Sequence, residues 1–342
     1  MTPSPEPSSH SVGAGAGDLP DPRPRFGLRK WMVKALIQRG MAALPWSHRW
    51  NELFQRYVTG GLELSPSGFR IKLGQCAKHL DHYHSLSLRP KEAFSALELG
   101  TGWFPVLPVG LYLAGASQVV TYDINPLLST YTLRQVARYF CELQDSGELV
   151  QRLPRLQPER LSLLRGYLDR EVSETPAAFL KTLNIELRVG DARQTGLPAG
   201  CIDLVCSCTV LEHILYPDLI ALFNEFRRVS SADSLMSHFI GLEDQYATFD
   251  PSISPFNFLQ YTDKEFRRWN NGIIPLNRLR IADHRRAFRE GGYEILKEQN
   301  TLGELRELRR IRLAPEFQHH PVEDLLVTYS WLVGRPKPTS SR

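Results

Sequence analysis

Glu98 stands two residues before Gly100-Thr101-Gly102, at the end of the β-rich run Phe94 to Gly100. An acid followed at once by a glycine turn lets a ligand approach the backbone, because glycine lacks Cβ and tolerates positive φ. A Gly-x-Gly turn alone is weak evidence for a nucleotide. Two later acids narrow the reading. Asp123 closes the run Gln118 to Asp123, 23 positions after Gly100, close to the roughly 20-residue offset of a ribose-binding acid. Its carboxylate could accept hydrogen bonds from both ribose hydroxyls. Asp191 follows the run Ile185 to Val189, where it could accept from an adenine amino group or cap the turn behind it. Three acids at three successive strand ends are hard to explain as caps alone.

Two histidines could remove a proton from an acceptor. His213 follows the run Ile202 to Cys208, and His238 lies in Ser234 to Ile240; imidazole titrates in the useful range. Each also has a plain structural reading, His213 as a local turn contact and His238 as a satisfied core residue. Asp244 and Tyr261 are weaker candidates. Cys76, Cys141, Cys201, Cys206 and Cys208 are odd in number and lack a framework spacing, which suits reduced thiols in the cytosol. Cys206, Cys208 and His213 lack a fourth ligand, so no metal site is expected. Cys208 is expected to face the ligand from the end of its strand.

Strand, turn and helix units must position these groups. Val106 to Ala114, Pro217 to Val229 and Ile281 to Glu290 read as helices between the strands, and Tyr293 to Glu298 and Leu326 to Val333 as two last strands at the far edge. Such alternation predicts an α/β fold, a doubly wound and mainly parallel sheet covered on both faces. Residues 1–25, rich in Pro, Ser and Gly, read as a disordered tail and 26–90 as an N-terminal helical cap. Residues 91–342 form the main domain, with insertions at about 126–183 and 242–279 that suit substrate lids. Within the cap, Leu28 to Leu44 has helical periodicity: Leu28, Trp31, Ala35 and Leu36 share one face, and Lys30, Lys34 and Gln38 another. A basic amphipathic helix can lie on an acidic membrane, but covering a neighbouring apolar face is the simpler reading.

A formal net charge of +4, from 41 basic and 37 acidic residues, is too small an excess to argue for a nucleic-acid binder. No apolar run is long enough to cross a bilayer, so a cytoplasmic protein is expected. In the lid, Phe256, Phe258, Tyr261, Phe266 and Trp269 mix with Arg267, Arg268, Arg278 and Arg280. That mixture suits sugars, aromatic metabolites or anionic groups, and somewhat better an ordinary amphipathic cap. The sequence is silent on oligomeric state.

Taken in order, Glu98-Leu99-Gly100-Thr101-Gly102, Tyr122-Asp123-Ile124-Asn125, Gly190-Asp191-Ala192, Ile202-Asp203-Leu204-Val205 and Val210-Leu211-Glu212-His213-Ile214 resemble the motifs of class I methyltransferases. The resemblance covers roughly residues 94 to 300. It implies a seven-stranded Rossmann-like sheet and S-adenosylmethionine as cofactor. It also implies that Gly100, Thr101 and Gly102 line the methionine part with Glu98 near its amino group. Asp123 would take the ribose and Asp191 with Ala192 the adenine, and Ile124 is also expected to touch the cofactor. The third glycine of the usual Gly-x-Gly-x-Gly is Phe104 here, and its ring could cover the cofactor. The resemblance leans towards bacterial enzymes that O-methylate a small molecule or sugar. Two rivals remain: a non-catalytic scaffold that keeps the fold, and a nicotinamide-dependent oxidoreductase, against which Pro105 stands where pyrophosphate binding needs Gly or Ala.

Overall fold

Short apolar runs closed by glycine or an acid become strands. In the computed structural model, which describes residues 30–42, 63–169, 174–270 and 275–338, they are β1 (Ser95–Leu99), β2 (Gln118–Asp123), β3 (Ile185–Val189), β4 (Ile202–Cys208), β5 (Ser230–Gly241), β6 (Tyr293–Leu302) and β7 (Val327–Pro336). The expected tail lies outside the described residues. The strands form one sheet in the order β3-β2-β1-β4-β5-β7-β6. β1 to β5 run parallel, and β7 is antiparallel to both β5 and β6. The doubly wound, Rossmann-like sheet expected from the sequence is therefore present.

β6 runs past the expected Glu298 to Leu302. Gln299, Asn300 and Thr301 carry no apolar alternation; their backbones pair with Trp331, Ser330 and Tyr329 of β7. Ladder hydrogen bonds, rather than burial, extend this edge strand.

Each face of the sheet has its own apolar layer. On one face α2 (Pro66–Leu86), α3 (Val106–Leu113) and α4 (Thr130–Asp145) pack Phe69, Leu73, Leu80, Val109 and Phe140 against Ala96, Leu204 and Leu235. α2 begins cleanly because Ser65 accepts the Gly68 amide and Pro66 fits the first turn. On the other face α8 (Tyr216–Val229) and α9 (Ile281–Glu290) pack Leu222, Phe223, Phe226 and Phe288 against Leu97, Val205 and Met236. α2 thus shares its core with the sheet, and the boundary expected near residue 90 falls inside one apolar layer.

The insertion after β2 is helical: α4, then α5 (Glu148–Arg152), α6 (Leu161–Asp169) and α7 (Pro176–Thr182). The segment after β5 is mostly turns, and Phe256, Phe258, Leu259 and Phe266 form a third cluster with Leu308, Phe317 and Leu325. α1 (Lys30–Ala42) docks onto this segment. Trp31 lies 5.3 Å from Trp269 and 5.6 Å from Tyr246, ring centre to ring centre, and its amide donates to Asp250. Ala35 is buried as expected, but Leu36 points to solvent, while Lys34 of the expected polar face lies 4.3 Å over the Phe249 ring and Arg39 donates to the Arg268 carbonyl. No helix among the described residues is long and apolar enough to cross a membrane.

Leu73 is fully buried between α2 and the sheet. Leu73→Ala is expected to destabilise the whole fold by about 2–5 kcal/mol, read as a shifted urea midpoint with an unchanged slope. A loss below about 1 kcal/mol would mean that α2 is a detachable cap.

Candidate functional site at the carboxyl rim of the sheet

Parallel pairing sends β1 to β4 out of the sheet at one rim, and the turn after β1 is held there by β2. Gly100 donates its amide to the Tyr122 carbonyl at 2.7 Å, and Gly102 donates to Asp123 Oδ2 at 2.9 Å. The turn needs glycine at both places. Gly100 has φ +87° and Gly102 φ +62°, a region side chains rarely adopt. A Cβ on Gly100 would also collide with the Val210 side chain, whereas the space before Gly102 is open.

Beneath the turn, Glu98 is almost fully buried and accepts a hydrogen bond from Thr121 Oγ1 at 2.5 Å; Thr121 is bonded in turn to the Thr101 hydroxyl. Burial pushes the Glu98 carboxyl up to about 8, against the Thr121 bond, which pulls it down. Near neutrality it is largely protonated, and an ammonium group placed beside it would favour the ionised form. Asp123 is half-buried. Its Oδ1 accepts the Asn125 amide at 3.0 Å, and burial raises its carboxyl despite the backbone bonds it receives. Each of its oxygens keeps a lone pair for a further donor. Ile124, next to it, exposes 76% of its surface at the rim.

The remaining expected cofactor residues are less uniform. Asp191 accepts the Arg193 amide at 2.9 Å, so it caps the single turn Ala192–Gln194, and both its oxygens bond the Arg193 guanidinium. That pairing lowers its carboxyl. Ala192 is buried behind it. Phe104 leans back onto the apolar layer of α2 and α3. Cys208 sits at the end of β4 with its sulfur 3.3 Å from His79 Nε2.

His238 does not reach this rim as a base. It is fully buried, with Nδ1 2.6 Å from Ser207 Oγ and its ring packed among Phe223, Phe226 and Phe288. Burial, reinforced by His284, pulls it down to about 3. The cause is strand parity: alternate side chains of β5 point to opposite faces, and His238 points under α8.

His213 is differently placed. Its Nδ1 lies 2.7 Å from the Pro275 carbonyl and its Nε2 3.3 Å from Gln245 Nε2. A carbonyl can only accept, so Nδ1 carries the proton and Nε2 presents a lone pair towards the segment after β5. Burial lowers its pKa, opposed by the Pro275 bond. Asp244 is a turn residue, bonded by Asn257 Nδ2 at 2.8 Å and by the Tyr246 amide. Arg278 and Arg280 are buried in structural work, Arg280 donating to the carbonyls of Leu242, Leu325 and Val327. Arg278 bonds the Phe258 and Tyr261 carbonyls between the rings of Phe266 and Phe317. These two lid arginines are therefore spoken for, and the mixed composition of the lid is an amphipathic cap with its own core.

Two neighbours of the rim escape sequence reasoning. Glu212 is buried, pushed up to about 8 by burial, and one of its oxygens has no hydrogen-bond partner among the described residues; it stands inside the Val210–Ile214 motif, but nothing in that run marks it apart from its neighbours. His79, three residues before His82 on α2, reaches β4 from a helix taken for part of a separate cap.

The family model described as "Methyltransferase domain" matches residues 167–236, a span holding β3, β4, His213 and α8. None of the curated proteins matches the sequence. Among solved structures, the chain is similar to the PH0226 protein of Pyrococcus horikoshii OT3, at 16% identity over 83% of this chain and 98% of that one, with a TM-score of 0.45. It is similar to an S-adenosylmethionine-dependent methyltransferase of Mesorhizobium loti, at 12% identity over 77% and 99%, with a TM-score of 0.40. A geranyl diphosphate methyltransferase in complex with SAM is similar at 12% identity over 78% and 86%, again with a TM-score of 0.40. Likenesses this distant carry no argument about substrate.

In the unfolded chain the Glu98 carboxyl ionises near 4.5, and in the folded one near 8. Its contribution to stability is full below the lower value and is lost as pH rises through the upper one. Relative to Glu98→Gln, the wild type is expected to lose stability between about pH 5 and pH 8.5, measured by urea denaturation. A difference that does not change with pH would contradict the buried, protonated acid.

Proposed function

We propose that the chain, a methyltransferase of the class that uses S-adenosylmethionine, carries the methyl group to a hydroxyl of a small molecule or sugar. The observation that carries this reading is the convergence of Glu98, the open Gly102 turn and Asp123 at one rim, with His213, whose Nε2 accepts from the Gln245 side chain at 3.3 Å, beside it.

The residues suit the cofactor. Glu98, with Thr101, would pair with its amino group, and the backbone of Gly100 and Gly102 would pass close to its methionine part. Asp123 would accept the ribose hydroxyls, and the exposed Ile124 would lie along the adenine. Ala192 would close the adenine end, and Asp191 would reach that ring by sharing its oxygens with Arg193. Phe104, in the turn before α3, and Cys208, at the end of β4, would flank the cofactor. When bound, S-adenosylmethionine supplies a methyl group on a sulfonium, which leaves by in-line displacement.

The protein's task is then positioning: acceptor and methyl must come within about 3–3.5 Å. His213 is the residue we assign to take the acceptor's proton. Its Nδ1–H is anchored on Pro275, so the ring cannot turn its protonated side to the acceptor. The segment after β5, held over the rim through Gln245, would exclude water and shape the acceptor pocket.

Calorimetric titration with S-adenosylhomocysteine tests the cofactor assignment, and Asp123→Ala is expected to abolish binding in a protein that still unfolds cooperatively, at a lower midpoint because the Gly102 and Asn125 amides lose their acceptor. Undiminished affinity in the variant would remove Asp123 from the site. Binding without any methyl consumed against metabolite extracts would favour the scaffold reading.

His213→Gln is expected to slow methyl transfer by roughly 10²–10⁴-fold with little change in cofactor affinity. In the wild type the rate should rise with pH to a plateau reached below the ordinary histidine range, because burial lowers His213. Turnover unchanged by the substitution would rule the residue out as the base.

A further inference from the structure

Two buried histidines of α2 and one serine of β5 form a group that methyl transfer as derived above does not use. His79 Nδ1 lies 2.9 Å from Ser237 Oγ, and His82 Nδ1 lies 3.0 Å from the same oxygen. All three residues are completely buried. The far nitrogen of His79, Nε2, is 3.3 Å from Cys208 Sγ, and the far nitrogen of His82 has no partner. Trp331 packs its ring edge-on against both imidazoles, at 4.9 and 5.3 Å.

The chemistry of a hydroxyl makes this arrangement one-directional. Ser237 owns one proton and two lone pairs; accepting from both imidazoles would leave its own buried O–H without an acceptor, so it donates to one ring and accepts from the other. The two rings must therefore be opposite tautomers. Burial keeps both neutral, His82 being pulled down to about 4 and His79 well below its ordinary value. Two directions are possible. If the chain ran from His79 to His82, the unpartnered Nε2 of His82 would carry a buried N–H with nothing to accept it. If it runs from His82 to His79, that atom carries only an unused lone pair. Buried donors without acceptors are the rarer and costlier case. The chain then reads His82 Nδ1–H to Ser237 Oγ, Ser237 O–H to His79 Nδ1, and His79 Nε2–H to the Cys208 sulfur.

We propose that His79 and His82 are positioning residues, which drive a one-way chain of hydrogen bonds through Ser237 into Cys208 and turn its thiol hydrogen towards the cofactor cleft. Cys208 is the only member of the chain with any exposure, at the end of β4. A sulfur that accepts from His79 has its own hydrogen free to meet a ligand lone pair. α2 thereby becomes part of the cofactor site. The proposal rests on the reading above that Cys208 borders that cleft.

The chain itself is tested in the full-length protein by nitrogen-15 and proton correlation of the imidazole rings. His82 is expected as the Nδ1–H tautomer and His79 as the Nε2–H tautomer at neutral pH. Finding both rings in one tautomer, or the reverse pair, overturns the proposal without reference to any ligand. Its role is tested by S-adenosylhomocysteine affinity. His79→Ala and Ser237→Ala should each weaken binding about fivefold, the worth of one net hydrogen bond, and His79→Gln, which keeps an N–H donor, should recover part of it. If both alanine variants bind like the wild type while Asp123→Ala does not bind, the positioning role is wrong and the cofactor site stands. If the wild type itself fails to bind, the cofactor reading falls, and with it the role given to Cys208.

Discussion

The Asp123 carboxylate fixes the shape of the rim. By accepting the Gly102 amide it ties the turn after β1 to the end of β2, so two strand ends and the loop between them move as one piece. The positive φ of Gly100 and Gly102 is needed because an ordinary turn would carry that amide away from the acid. Glu98 lies below and owes its raised pKa to being sealed under the same turn. Loosening the Gly102–Asp123 bond would thus change the depth of the cleft and the charge at its floor together.

Much of this frame is legible in the sequence because burial and backbone chemistry write directly into residue type. β2, β3 and β4 lie where their apolar runs put them, and Gly100, Gly102 and Asp123 meet because parallel pairing leaves them no other place. The remainder depends on facts that spacing does not encode. His238 is one strand position from the other face of the sheet, and that parity decides between a base and a core residue. Asp191 has a competing partner two residues away in Arg193, and only geometry shows that the competitor is engaged. His79 reaches the site from a distant helix, a long-range contact with no local pattern.

Residues of similar chemistry are sorted by desolvation. Glu98 and Glu212 are buried without an ion pair and shift upward, the pull of Lys72 on Glu98 being outweighed by burial, whereas Glu148, half-buried between Arg70 and Arg152, shifts downward through those two bonds. His213 and His238 are both pulled down by burial, but only His213 turns a ring nitrogen towards the segment after β5, where Gln245 bonds it. Position in the dielectric landscape, more than residue identity, separates the groups suited to handle protons from those that stabilise the fold.

The third apolar cluster, formed by Phe256, Phe258, Phe266 and Phe317 apart from the two layers of the sheet, has a consequence for how such a protein diversifies. Because the cover carries its own hydrophobic centre, substitutions that retune it leave both layers of the sheet untouched. Selection for a new acceptor and preservation of the donor cleft can then proceed on separate parts of the chain, with few epistatic conflicts between them.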